Sequence, residues 1–133
     1  MIRVLLVEDN AADARLAVEA LQECTVPTHI AVVGDGIQAL SYLRCEGQYA
    51  GTILPDILLL DLNLPKMDGR KVLMEIKSDH TLKHIPVIIF SANRNIQEIS
   101  RQCNADGFIA KPFNLNQLLA VISNHISNNS GRN

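Results

Sequence analysis

The stretch DILLLDLNLPKMDG, residues 56–69, is the most informative about the fold, because it combines a long apolar run with a carboxylate at the end of that run. Residues 57–60 are four consecutive aliphatic side chains, a pattern typical of a strand that is covered on both faces. Asp61 follows directly, with Leu62 and Leu64 beyond it. A carboxylate in such company costs free energy unless a charged or hydrogen-bonding group pairs with it. We therefore expect Asp61 to stand where a buried strand ends, facing partners supplied by other parts of the chain.

The rest of the chain alternates apolar runs of strand length with segments of helical period. The predicted strands cover 2–7, 28–33, 57–60, 86–90 and 107–110, and the predicted helices cover 10–23, 35–45, 68–77, 95–103 and 114–126. Regular alternation of this kind predicts a parallel sheet with helices on both faces. We expect an α/β, flavodoxin-like fold with five strands in the order 2-1-3-4-5 and right-handed crossovers. A small Rossmann-like unit is the alternative, but no G-x-G-x-x-G motif follows any strand.

The starts of the predicted helices carry recognisable capping residues. Capping-box patterns occur at Asp35 with Gln38, Asn95 with Glu98, and Asn114 with Gln117. Asn10 and Asp68 are further candidates for N-caps. Asp68 is therefore interpreted as a structural residue and not as a catalytic acid.

Length and composition indicate one domain, residues 1–126, followed by a flexible polar tail, residues 127–133. The formal net charge of −2 gives no electrostatic reason to expect nucleic acid or an anionic membrane as a partner. The first residues do not resemble a signal peptide, and no apolar segment is long enough to span a membrane. The three cysteines form neither a metal pattern nor a disulfide framework. We expect a cytoplasmic protein.

Function in such a sheet gathers beyond the carboxyl ends of its strands. Four of the five predicted strands end in chemically useful side chains, namely Glu8 and Asp9, Asp61, Ser91, and Lys111. Each of them alone could be a helix cap or a surface charge. Their joint placement at one edge favours a functional site.

Three carboxylates at one edge repel one another unless a cation lies between them. Oxygen ligands of this kind suit Mg²⁺, which a phosphoryl oxygen often completes. The Lys111 ammonium would supply a second positive charge for such a group, and the Ser91 hydroxyl could donate a hydrogen bond to it. Asp61 is then the expected nucleophile, because carboxylates can form aspartyl phosphates.

The residues at these strand ends belong to four motifs, LLVEDN (5–10), DILLLDLNLPKMDG (56–69), VIIFSA (87–92) and GFIAKPF (107–113). Through these motifs the sequence resembles the receiver domains of two-component response regulators. The resemblance implies that Asp61 is the phosphoacceptor and that Lys111 and Ser91 contact the phosphoryl group. It also implies Mg²⁺ as the cofactor, with Asp9, Asp61 and the backbone carbonyl of Asn63 as ligands and Glu8 acting through water.

The same resemblance assigns two further roles. Phe108 would be the aromatic switch of the fifth strand, which turns inward when Ser91 moves towards the phosphoryl group. Packing in the core is the alternative role for Phe108. Asn63 and Asn93 would influence how quickly water removes the phosphoryl group.

Three further stretches are informative, YLRCEGQYA (42–50), residues 61–79 and LKHIPV (82–87). They resemble the small single-domain response regulators that serve bacterial phytochromes. This narrower resemblance implies a phytochrome-type sensor histidine kinase as phosphodonor, a downstream protein or phosphotransfer partner, and homodimerisation through the C-terminal part of the fold. We expect a signalling protein with slow self-dephosphorylation and not an enzyme. The alternatives are a small Mg²⁺-dependent phosphohydrolase and an interaction module that works without phosphorylation.

Overall fold

The five strands form a single parallel sheet in the order β2-β1-β3-β4-β5. The computed structural model describes residues 1–23, 27–64, 66–111 and 115–130. The strands are β1 (Ile2–Val7), β2 (Thr28–Val33), β3 (Ile57–Asp61), β4 (Val87–Ser91) and β5 (Gly107–Ala110). The predicted flavodoxin-like order is confirmed, and Asp61 is the last residue of β3.

Helices follow all five strands. They are α1 (Ala11–Gln22), α2 (Gly36–Leu43), α3 (Gly69–Ser78), α4 (Ile96–Gln102) and α5 (Leu115–Ser130). A short 3₁₀ turn (Gly47–Tyr49), which the sequence did not predict, lies in the long connection before β3. Helix α5 continues to Ser130, beyond the predicted end at residue 126. Asn114, the predicted cap of α5, lies outside the described residues, and flexibility of the tail stays a prediction.

The apolar run of β3 is explained by two cores, one on each face of the sheet. Leu58 and Leu60 belong to the core formed with α2, α3 and α4, and Ile57 and Leu59 belong to the core formed with α1 and α5. All four side chains are almost fully buried. Each such burial stabilises the fold by about 1.5–3 kcal/mol, so β3 and its terminal Asp61 are held firmly in place. Within the described ranges, no helix has the length and apolar character needed to cross a membrane.

Most of the predicted helix caps are present. The side chains of Asn10, Asp35 and Asp68 each accept a hydrogen bond from a backbone N–H in the first turn of their helix. The predicted capping box at Asn95 is wrong, because its side chain makes no cap bond and its backbone (φ −95°, ψ 21°) lacks the extended conformation that side-chain capping requires. Instead, the side-chain oxygen of Asn93 accepts a hydrogen bond from the Asn95 N–H at 2.8 Å.

Candidate functional site

The register of the sheet brings the ends of four strands to one edge. Val7 pairs with Leu60, Asp61 with Phe90, and Ser91 with Ala110. Glu8 and Lys111 directly follow the strands whose ends are aligned in this way. The five residues expected to share an edge therefore do so, namely Glu8, Asp9, Asp61, Ser91 and Lys111.

The Lys111 ammonium is the centre of this edge. Its Nζ atom lies 2.8 Å from Glu8 Oε1, 3.0 Å from Asp13 Oδ2 and 3.2 Å from Asp61 Oδ2. An ammonium group has three N–H donors, and each of them here has a carboxylate acceptor. The same nitrogen lies 5.0 Å from the centre of the Phe90 ring, a distance that allows a favourable cation–π contact. Lys111 is thus held from four sides.

Three carboxylates form a compact acidic cluster beside Lys111. One oxygen each of Glu8, Asp9 and Asp61 lies within 4.8 Å of the others. Glu8 and Asp61 are buried, whereas Asp9 is exposed and leaves the cluster open on one side. Hard oxygen donors that repel one another at this spacing fit a divalent cation such as Mg²⁺ or Mn²⁺.

In the absence of a metal, burial and the contacts among the charged side chains together determine the pKa values of Glu8 and Lys111. Burial, followed by a close side-chain contact with Asp61, raises the pKa of Glu8 from 4.5 to about 7, and the hydrogen bond from Lys111 offsets only part of this rise. For Lys111, burial works against the charged form. The hydrogen bonds to Glu8 and Asp13 and the attraction of Asp61 outweigh it, so the pKa of Lys111 is raised and the ammonium stays charged.

The remaining polar residues of the site have well-defined local contacts. The Asn63 N–H donates to Asp61 Oδ1 at 3.0 Å, which orients the carboxylate relative to the β3–α3 loop. Ser91 is fully buried, and its Oγ accepts a hydrogen bond from the Asn93 N–H at 3.0 Å. Asn63 and Asn93 are both exposed.

Phe108 lies apart from the acidic cluster. It pairs with Ile89 in the sheet, and 38% of its surface is exposed, so it is not a residue of the core. Its ring lines a groove of about 550 Å³ along α4, together with residues that include Arg94, Gln97 and Arg101. A ring in this position has room to change its orientation, but its role as a switch stays a prediction.

Asp13 is a site residue that the sequence analysis missed. An acid in the first turn of a helix is most simply explained by the helix dipole. A usable signal was nonetheless present: α1 begins directly after β1, so its first turn has to lie at the same edge of the sheet as Glu8 and Asp9. A carboxylate in that turn can reach a lysine that follows β5.

This sheet order, with a lysine beside an acidic cluster at the carboxyl edge, defines a flavodoxin-like domain whose three clustered carboxylates could hold a divalent cation. The family model of the response regulator receiver domain matches residues 4–123, and the chain belongs to that family. Both resemblances seen in the sequence, to receiver domains and to the response regulators of bacterial phytochromes, are confirmed.

Three matches illustrate the similarity. Response regulator Rcp1 from Synechocystis sp. is 38% identical over 121 residues, which cover 90% of this chain and 82% of Rcp1. The structure of the phosphorylated cyanobacterial phytochrome response regulator RcpA is 49% identical, with a TM-score of 0.81 over 92% of this chain and 89% of RcpA. The structure of Mn²⁺-bound Rcp1 is 35% identical, with a TM-score of 0.84 over 92% of this chain and 93% of Rcp1.

Proposed function

We propose that Asp61 accepts a phosphoryl group from a phosphohistidine of a sensor histidine kinase. The observation that carries the proposal is the position of its carboxylate at the end of β3, where Oδ2 lies 3.2 Å from the Lys111 ammonium. The side chain is only 3% exposed, so the acceptor is held in one orientation, with one oxygen hydrogen-bonded to the Asn63 N–H. Positioning and neutralisation of charge supply most of the catalysis in phosphoryl transfer.

In the transfer, an oxygen of the Asp61 carboxylate attacks phosphorus as the phosphorus–nitrogen bond of the phosphohistidine breaks. The electron pair of that bond stays on the imidazole nitrogen, and because the other ring nitrogen of the phosphohistidine carries a proton, the leaving group is neutral imidazole and no oxidant or reductant is needed. Lys111 faces the oxygens that carry the charge of the transferred group. Ser91, at the end of the neighbouring strand, is the hydroxyl that would contact the same group.

Mg²⁺ is the proposed metal. Asp9, Asp61 and the backbone carbonyl of Asn63 would bind it, with Glu8 acting through a water molecule. The donor chemistry supports this set, because all of its atoms are hard oxygens and two of the carboxylates are buried. When bound, the ion supplies the positive charge that Lys111 alone cannot provide for several carboxylates and a phosphoryl group.

The direct test is incubation with acetyl phosphate and Mg²⁺, followed by intact-protein mass spectrometry. The wild-type chain should gain the mass of one phosphoryl group, and Asp61→Asn should gain none. Asp56→Asn is the matched control, since Asp56 precedes the same strand at its opposite end and binds the Arg3 N–H. Absence of the mass gain in the wild type, with Mg²⁺ binding intact, would contradict the proposal.

The proposed donor is a phytochrome-type kinase, because RcpA is a phytochrome response regulator and is 49% identical to this chain. Phosphotransfer from several autophosphorylated histidine kinases should be compared at short times. Transfer from a phytochrome kinase is expected to be at least about tenfold faster than from unrelated kinases, a preference of the size that interface complementarity provides. Equal rates from all donors would remove the phytochrome link while leaving Asp61 as the acceptor.

Output is proposed to pass through the surface near Phe108, to a downstream protein or to a second copy of the chain. Phosphorylation would draw in the Ser91 hydroxyl and turn the Phe108 ring, which changes the groove along α4. Asn63 and Asn93 lie two residues beyond Asp61 and Ser91 and are exposed, so they are proposed to tune the slow loss of the phosphoryl group to water. Light scattering with and without beryllofluoride tests homodimerisation, and Asn93→Ala tests the phosphoryl lifetime.

A further inference from the structure

One contact of Lys111 is not explained by the acidic cluster. Its Nζ atom lies 3.0 Å from Asp13 Oδ2, a distance between those to Glu8 and to Asp61. Asp13 is not among the carboxylates that group around a potential metal position in the described part of the chain. Its side chain is 35% exposed, compared with 0% for Glu8 and 3% for Asp61. It therefore approaches the ammonium from the solvent side.

The local structure fixes Asp13 in this position. The Asn10 side chain caps α1 by accepting a hydrogen bond from the Asp13 N–H at 3.0 Å, so the backbone of Asp13 is held at the start of the helix. Helical side chains point back towards the N-terminus, which here is the site edge of the sheet. Because the cap bond involves only the backbone of Asp13, the side-chain carboxylate is available to accept a hydrogen bond from Lys111, the residue that follows β5.

A favourable interaction between Asp13 and the helix dipole does not by itself account for the bond between Asp13 and Lys111. An acid in the first turn interacts favourably with the helix end without contacting any cation. Asp13 instead takes the third N–H donor of Lys111, whose other two donors bind carboxylates at the ends of β1 and β3. A single ammonium thus joins two strand ends and one helix.

We propose that Asp13 is a positioning residue that holds the Lys111 ammonium in place for phosphoryl transfer. This inference rests on the proposed function of Asp61. When Asp61 carries a phosphoryl group, the donor that now binds Asp61 faces that group instead, while the bonds to Glu8 and Asp13 still orient the lysine. Without Asp13, the long lysine side chain loses its outer anchor, so its ammonium no longer keeps one position between Glu8 and Asp61 and the side chain becomes more mobile.

The test is a double-mutant cycle of Asp13→Asn and Lys111→Gln, with acetyl phosphate as donor at saturating Mg²⁺. Asp13→Asn should slow phosphorylation roughly tenfold, the lower end of the range expected for loss of one charge-assisted hydrogen bond. In the Lys111→Gln background the same change should have no effect, because the residue through which Asp13 acts is gone. Asp13→Glu keeps the charge and should retain most of the rate.

Glu19→Gln is the matched control. Glu19 lies on the same helix and pairs with Arg15 at the surface, so its loss removes one negative charge from α1 without touching Lys111. It should leave the rate unchanged. A change through overall charge would instead alter the rate equally in both Lys111 backgrounds, and that result would overturn the proposal.

A second measurement does not depend on phosphorylation. NMR relaxation of the Lys111 side-chain methylene groups in the metal-free protein should show a rigid side chain in the wild type and in Glu19→Gln. Asp13→Asn should make it markedly more mobile. If the wild type accepts no phosphoryl group, the proposed function fails, but the NMR measurement still tests the contact between Asp13 and Lys111. Unchanged Lys111 mobility in Asp13→Asn would overturn the positioning role.

Discussion

The metal-free protein should lose stability as the pH rises, because Glu8 is buried beside another carboxylate. Its pKa is about 7 in the folded state and near 4.5 when unfolded, so the folded chain binds this proton more tightly. The stabilisation is complete below pH 4.5 and is lost as the pH rises towards and through 7. Linkage over these two values gives a loss of about 2.5 kcal/mol between pH 5 and pH 8.

Urea unfolding followed by circular dichroism, in EDTA, measures this loss. Glu8→Gln imitates the protonated side chain, so the difference in unfolding free energy between wild type and variant isolates the contribution of Glu8 from other titrating groups. Saturating Mg²⁺ should reduce the loss in the wild type, because a divalent cation stabilises the ionised carboxylates at high pH. Parallel pH profiles of wild type and Glu8→Gln in EDTA would refute the reasoning.

Three further changes have defined outcomes. Lys111→Met leaves buried carboxylates without their cation and should destabilise the metal-free protein by about 3 kcal/mol in urea unfolding, with partial recovery in Mg²⁺. Gly69→Ala would put a Cβ 2.5 Å from the Asp61 carbonyl oxygen, a backbone atom, and should cost about 2 kcal/mol, measured by thermal unfolding. Asp35→Ala removes the cap bond to the Gln38 N–H (2.8 Å) and should cost about 1 kcal/mol in urea unfolding, whereas Asp35→Asn should keep most of that stability.

The fold could be predicted from the sequence because its strongest signals are local and agree with one another. The apolar run of β3 needs cover on both faces, and the alternating helices supply it. The edge positions of Glu8, Asp61 and Lys111 then follow from topology alone, since parallel strands end at the same edge. The predicted end of β3, residue 60, differs by only one residue from the observed end at Asp61.

The features that sequence missed depend on backbone angles and on distances between elements. Asn95 has the right residue type for a cap, but its conformation is set by the preceding turn, where Asn93 takes over the hydrogen bonding. Asp13 is most simply explained as an acid at the start of a helix, and only the distance between its carboxylate and Lys111 Nζ shows that the two side chains are hydrogen-bonded. Neither the pKa of Glu8 nor its cause can be derived without the burial of its side chain.

The arrangement around Lys111 explains how one lysine can serve a site that changes its charge. Asp61 and Glu8 both belong to the cluster that a divalent cation would bind, so the proposed metal binding and phosphorylation would each change the charge that two of the three lysine bonds face. The bond to Asp13 lies outside that cluster, and neither event competes for it. An ammonium anchored only to the reacting carboxylates would shift whenever their charge changed. The proposed anchor on α1 would keep it at the edge of the sheet before and after phosphorylation, which is where the proposed transfer to Asp61 requires it.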